Sequence, residues 1–130
     1  MNIAALHHTT SRSLAGTMTF PQVVGLLLGE GVESYQADLV TREKTFHMPN
    51  GETHRETLDI QPLAIAADFS GPEVVSAIRD IQQQKINYRQ FLDRIAAAGT
   101  TTYTVYLQGK RAIYFGRNGD FHIEEFPKAN

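Results

Sequence analysis

Cysteine is absent from the 130 residues. Disulfides, thiolate nucleophiles and Cys-based zinc sites are therefore excluded, which accords with a cytoplasmic location. Charge of either sign is not in excess: 12 Lys and Arg stand against 14 Asp and Glu, a net charge of −2. The basic residues Arg42, Lys44, Arg55, Arg79, Lys85, Arg89, Arg94, Lys110, Arg111 and Arg117 are interspersed with acids. A phosphate-binding surface needs clustered positive charge, so nucleic acid is not expected as a partner. Long apolar runs are missing too. Val23-Val24 and Leu26 to Leu28 are far too short to span a bilayer, so no membrane association is expected. The N-terminal MNIAALHHTTSRSLAG has no basic segment ahead of an apolar one and does not read as a secretory signal. Finally, Gly116-Arg-Asn-Gly119 leads into a strand pattern rather than a helix, so it is no dinucleotide fingerprint, and neither a P-loop nor a G-x-S-x-G elbow occurs.

What is present is an ordinary globular composition, 42% hydrophobic and 20% charged. The length suits a single domain, 1–130, with a core large enough to need no covalent staple. Its main internal feature is a repeat. PNGETHRETL begins at Pro49 and RNGDFHIEEF at Arg117; both carry Asn-Gly, a histidine three residues on and a glutamate two further. Residues 20–58 compared with 88–126, at an offset of 68, share eight of 39 positions: Gln22/Gln90, Gly31/Gly99, Tyr35/Tyr103, Leu39/Leu107, Asn50/Asn118, Gly51/Gly119, His54/His122 and Glu56/Glu124. Unrelated chains of average composition would match at roughly one position in sixteen.

The shared residues carry structural meaning. Thr19 with Gln22, and Asn87 with Gln90, read as capping boxes that open short helices. Gly31 and Gly99 read as the left-handed residues that stop them. Strand-like runs follow at Ser34–Val40 and Thr101–Leu107, then at Lys44–Met48 and Arg111–Gly116. Asn-Gly then predicts a two-residue type I′ hairpin into a third strand. Each unit (about 18–58 and 86–126) is thus predicted to be a helix plus a three-stranded antiparallel meander. The expected fold is α+β by internal duplication, about six strands with helices on one face. A linker and a helix, 59–85, join the units; Ser70-Gly-Pro-Glu73 predicts that helix's capping box, and Val74, Ile78 and Ile81 its apolar stripe. Ile3 to Leu14 is the corresponding helix expected ahead of the first unit.

Several segments together resemble the family called domain of unknown function 1398, or YbcV-like: Gly31-Val-Glu-Ser-Tyr35, Phe91-Leu-Asp-Arg-Ile-Ala-Ala-Ala-Gly99, Ile113-Tyr-Phe-Gly-Arg-Asn-Gly-Asp120 and Glu125-Phe-Pro127. The resemblance covers about residues 18–127. It implies a small bacterial or prophage protein, of a kind sometimes labelled phage envelope protein, with a single α+β domain in the cytoplasm. It implies no catalytic residues.

One constellation could carry chemistry. A two-residue turn at Asn50-Gly51 would oppose His47 to His54 and Thr45 to Glu56 on one face. His47, His54 and Glu56 would then form a two-His, one-carboxylate metal set, or His54 and Glu56 an acid–base pair. The same register puts Phe115 with His122 and Glu124 in the second unit. Solvation of an exposed strand face is the plainer account of these residues, and His7 and His8 read as surface histidines of the first helix. Tyr35 and Tyr103, at equivalent strand positions, read either as core or as two phenols lining a shared ligand cavity. Tyr106 and Tyr114 read as half-buried. Asp38 shares a face with Gln36 and reads as solvent-facing; if buried it would need a partner. Two functions follow. The favoured one is a non-enzymatic binding, regulatory or protein-interaction module, with a homodimer or protein partner and no cofactor. The alternative is a small metal-dependent or His/Glu acid–base enzyme.

Overall fold

The computed structural model describes residues 1–127. Four helices, α1 (Ile3–Leu14), α2 (Phe20–Gly29), α3 (Gly71–Gln82) and α4 (Tyr88–Ala97), accompany six strands: β1 (Ser34–Asp38), β2 (Glu43–His47), β3 (Thr53–Thr57), β4 (Thr100–Tyr106), β5 (Arg111–Gly116) and β6 (Phe121–Glu125). The strands form one antiparallel sheet in the order β3-β2-β1-β4-β5-β6. The fold is α+β, as the residue pattern predicts. Each half of the chain runs helix, helix, strand, strand, strand, and β1 and β4 meet at the middle of the sheet. All four helices of one half and the other keep the offset of 68: α1 and α3, like α2 and α4, begin and end 68 residues apart. Even the left-handed turn residues Arg42 and Lys110 are so related. Among the described residues no helix is long and apolar enough to cross a membrane.

Local chemistry explains the helix ends. Thr19 and Asn87 accept from the Gln22 and Gln90 amides, and both glutamines bond back to the cap backbone, so both capping boxes are complete. At α3 only half the predicted box forms: Ser70 accepts from the Glu73 amide. Gly31 closes α2 at φ +79°, with its own amide bonded to Leu28 and that of Val32 to Leu27, the paired bonds of a Schellman stop. Gly99 closes α4 at φ +92°. The connector after β3 has no regular structure and passes so close to Gly99 that a Cβ there would lie 2.2 Å from the Asp68 carbonyl oxygen.

The core lies between the helices and one sheet face. Leu6, Leu27, Ala37, Phe46, Val74, Leu92, Ile95 and Val105 are all at most 1% exposed. The other face is polar over β1–β3 but carries exposed Tyr106, Phe121 and Ile123 on the second half.

The hairpins differ from the two-residue turns expected. Pairing runs His47 to Thr53, Phe46 to His54 and Lys44 to Glu56. The Met48 amide bonds to the Glu52 carbonyl and the Gly51 amide to that of Met48. The loop is therefore Pro49-Asn50-Gly51, three residues, with Gly51 alone at positive φ (+91°). This is a type I turn followed by a left-handed glycine. Gly116 to Asp120 repeats it, with Gly119 at φ +87°. A one-residue slip moves every side chain to the opposite face.

Candidate functional site: a tyrosine-lined pocket

That slip decides which predicted site residues meet. His47 and Thr45 fall on the outer face, whereas Lys44, Phe46, His54 and Glu56 face the helices. His47 and His54 therefore do not converge, which corrects the expected His47–His54–Glu56 set. Among the described residues no group of three His, Asp or Glu is arranged to hold a metal. Phe115 likewise points outward against Phe121, and Tyr114 takes its place opposite His122.

His54 and Glu56 do meet: Nε2 lies 2.6 Å from Oε2. The other carboxylate oxygen is 2.7 Å from Nδ1 of His7 on α1, so Glu56 ties the first helix to the edge strand. The second half repeats the device with different residues. His122 lies 3.1 Å from Oε1 of Glu124, and Arg79 of α3 donates to Oε2 at 2.7 Å. Burial pushes the Glu124 carboxyl up, but the hydrogen bonds and charges of Arg79 and His122 outweigh it and hold the group below the usual range. Glu124 is accordingly a fixed carboxylate rather than an acid. Asp38 is accounted for by its turn: its carboxylate accepts from the Val40 and Thr41 amides at 2.9 and 3.1 Å.

Tyr35 and Tyr103 are both 3% exposed and both line a pocket of about 760 Å³. It opens where the C-terminal ends of α1 and α3 and the N-terminal ends of α2 and α4 stand over β1, β4, β5 and β6. Phe20, Tyr88, Phe91, Ala112, Tyr114 and Phe126 share the wall. Tyr103 and Tyr114 stack at 5.2 Å, Phe91 meets both edge-on at 6.4 and 6.3 Å, and the hydroxyls of Tyr88 and Tyr103 are hydrogen-bonded. Burial raises the phenol pKa of Tyr35, Tyr103 and Tyr114, and carries Tyr88 to about 12. At neutral pH these are uncharged hydroxyls, able to donate and accept but not to act as bases. Tyr114 is thus more buried, and Tyr106, 40% exposed on the outer face, less buried than their strand pattern suggests.

Sequence reasoning missed Lys44. It is 2% exposed, and its ammonium sits 4.4 Å from the Tyr35 ring centroid, 5.6 Å from that of Phe46 and 5.7 Å from that of Tyr88. All three lie within cation–π range. Burial lowers its pKa to about 8, against the raising influence of Glu56 opposite. The correct hairpin register was the missing signal, since it puts Lys44 on the face of Phe46.

With this architecture in place, the chain matches the model of the family described as Protein of unknown function (DUF1398) over residues 4–125, and it belongs to that family. No curated protein matches the chain.

Proposed function

We propose that the protein is a non-enzymatic binding module whose small-molecule ligand occupies the tyrosine-lined pocket. The observation that carries this reading is the pocket itself. Its volume falls within the range of about 300–1,000 Å³ usual for small-molecule sites, and it joins an apolar aromatic wall to a few convergent hydroxyls. The chemistry of the wall supports binding over catalysis. The phenols are held neutral by burial, and Glu124 is held ionised by two donors. An acid–base catalyst needs a group whose proton moves near neutral pH, and Lys44, lowered to about 8, stands behind Tyr35 and outside the pocket wall. The favoured ligand is compact, largely apolar or aromatic, and able to meet one or two hydroxyls.

Binding can be read without a label. The chain has no tryptophan and five tyrosines, four of which line the pocket, so tyrosine emission reports on the site. A panel of small aromatic compounds should contain members that change this emission and raise the melting temperature. A ligand at a hundred times its dissociation constant adds about 2.7 kcal/mol. Ala112→Phe, which projects a ring into the pocket, should abolish both signals. Signals that persist in Ala112→Phe, or their absence across the panel, would refute the reading.

A further inference from the structure

Of the inward positions at which the two halves of the sheet differ, Lys44/Ala112 is the one that changes charge. Lys44 and Ala112 are 68 residues apart and occupy the same place in β2 and β5, each opposite a glutamate: Glu56 for Lys44, Glu124 for Ala112. The rings around the Lys44 ammonium are Tyr35, Phe46 and Tyr88. Their partners at the same offset are Tyr103, Tyr114 and, for Tyr88, Phe20. Those three, together with Ala112 and Glu124, all line the pocket. The second half therefore keeps an aromatic residue at each corresponding position, with Tyr114 for Phe46 and Phe20 for Tyr88, keeps the carboxylate, and has alanine in place of the lysine.

We propose that the pocket binds an organic ammonium ion, whose charged head takes the place that Lys44 takes in the first half and whose apolar body fills the space left by Ala112. The inference rests on the pocket being a ligand site and adds the class of ligand. Aromatic faces attract a cation, and the pocket, unlike the buried Lys44 site, opens to solvent, so an ammonium head there keeps part of its hydration. Glu124 is already engaged by Arg79 and His122, but a carboxylate has about four acceptor sites and keeps capacity for a further donor. The rim adds Glu125 and Lys85; behind the wall Arg79 pairs with Glu124, and the Lys44 ammonium stands by the Tyr35 and Tyr88 rings.

Three probes of one shape separate the ligand class from the existence of a site: phenethylammonium, 2-phenylethanol and phenylacetate, titrated by tyrosine emission. Phenethylammonium should bind about tenfold more tightly than the alcohol, with the anion weakest. Glu124→Gln should weaken the ammonium severalfold and leave the alcohol unchanged. Equal or tighter binding of the alcohol or the anion would overturn the ammonium inference while leaving the pocket a ligand site. Failure of all three probes would also overturn it; the wider aromatic panel then tells whether the pocket reading falls as well. A ligand-free arm uses Ala112→Lys and Ala112→Glu. The lysine should find its cage ready and melt within a few degrees of the parent, and the glutamate should melt far lower. A lysine as damaging as the glutamate would overturn the inference.

Discussion

Lys44 makes stability depend on alkaline pH in a direction that can be worked out beforehand. Its ordinary value is 10.5, and burial lowers it to about 8 in the folded chain. Between those values the unfolded chain binds more protons than the folded one, so stability climbs as pH rises. For a single group with these two values, linkage gives a gain of about 2 kcal/mol between pH 8 and pH 10. In a domain of this length that is a rise of several degrees in melting temperature. The four buried phenols of Tyr35, Tyr88, Tyr103 and Tyr114 act the other way: they keep protons that the unfolded chain begins to give up below pH 10. The two effects cancel at about pH 9.5, above which stability falls. Urea unfolding across pH 7–11 should therefore pass through a maximum at about pH 9.5. Lys44→Met keeps the apolar stem and removes the charge. It should flatten the rising limb, leave the falling limb intact and stabilise the protein at pH 7. A parent whose stability falls from pH 8 to pH 9, or a Lys44→Met profile parallel to the parent's, would refute the view of Lys44 as an ammonium held against its solvation preference.

Other substitutions test the frame around the pocket. Gly99→Ala combines φ +92° with a Cβ 2.2 Å from the Asp68 carbonyl oxygen, so chemical denaturation should show a loss of several kcal/mol or no folded protein. Gly51→Ala meets the same φ constraint with nothing within 4 Å, and should lose only about 1 kcal/mol. Equal losses at Gly51 and Gly99 would contradict the close approach of the connector. Thr19→Ala and Asn87→Ala each remove a side-chain acceptor at a helix start, and each should lower stability by about 1 kcal/mol by the same assay. Arg79→Met removes the donor that ties α3 to β6; it should raise the Glu124 pKa, observed by carbon-13 NMR titration of the carboxyl, and an unmoved value would contradict the stated cause.

The elements were legible because their ends are written in short-range chemistry. Thr19, Asn87, Gly31 and Gly99 each act on amides or dihedrals within a few residues, so no knowledge of the fold is needed to read them. The register was lost at the two equivalent hairpin turns. Asn-Gly suggests a two-residue loop, yet Met48-Pro49-Asn50-Gly51 also reads as a type I turn, with proline second and glycine fourth. Pro49 marks this in the first hairpin, whereas Arg117, which holds its place in the second, carries no such signal. Because strand side chains alternate, the slip of one carried His47 from the expected cluster to the outer face and hid Lys44. Tyr35 and Tyr103 were visible as equivalent phenols. Tyr88 was not, since a residue in the first turn of a helix reaches the sheet only through the packing of α4, which no local pattern records.

The two halves also illustrate how one supersecondary unit can serve two ends. A lysine turned into a core is unfavourable because burial disfavours its charged form, and the lowered pKa of Lys44 has that direction, with Glu56 only partly offsetting it. Its long stem nevertheless fills the space between strand and helices. An alanine at the same place avoids the buried charge but leaves its neighbours without packing partners, and empty apolar volume destabilises in its own right. Neither choice is the most stable one; an apolar side chain at either position would serve packing better. The second half spends its loss on a cavity that connects with the exterior between four helix ends, and the first half spends its loss on a cation that no solute can displace. Only an occupant from solution can recover what Ala112 gives up. On the proposed reading, the position that weakens the second half is the one that makes it responsive to a ligand, and the charge beside the corresponding rings of the first half points to the chemistry of that ligand.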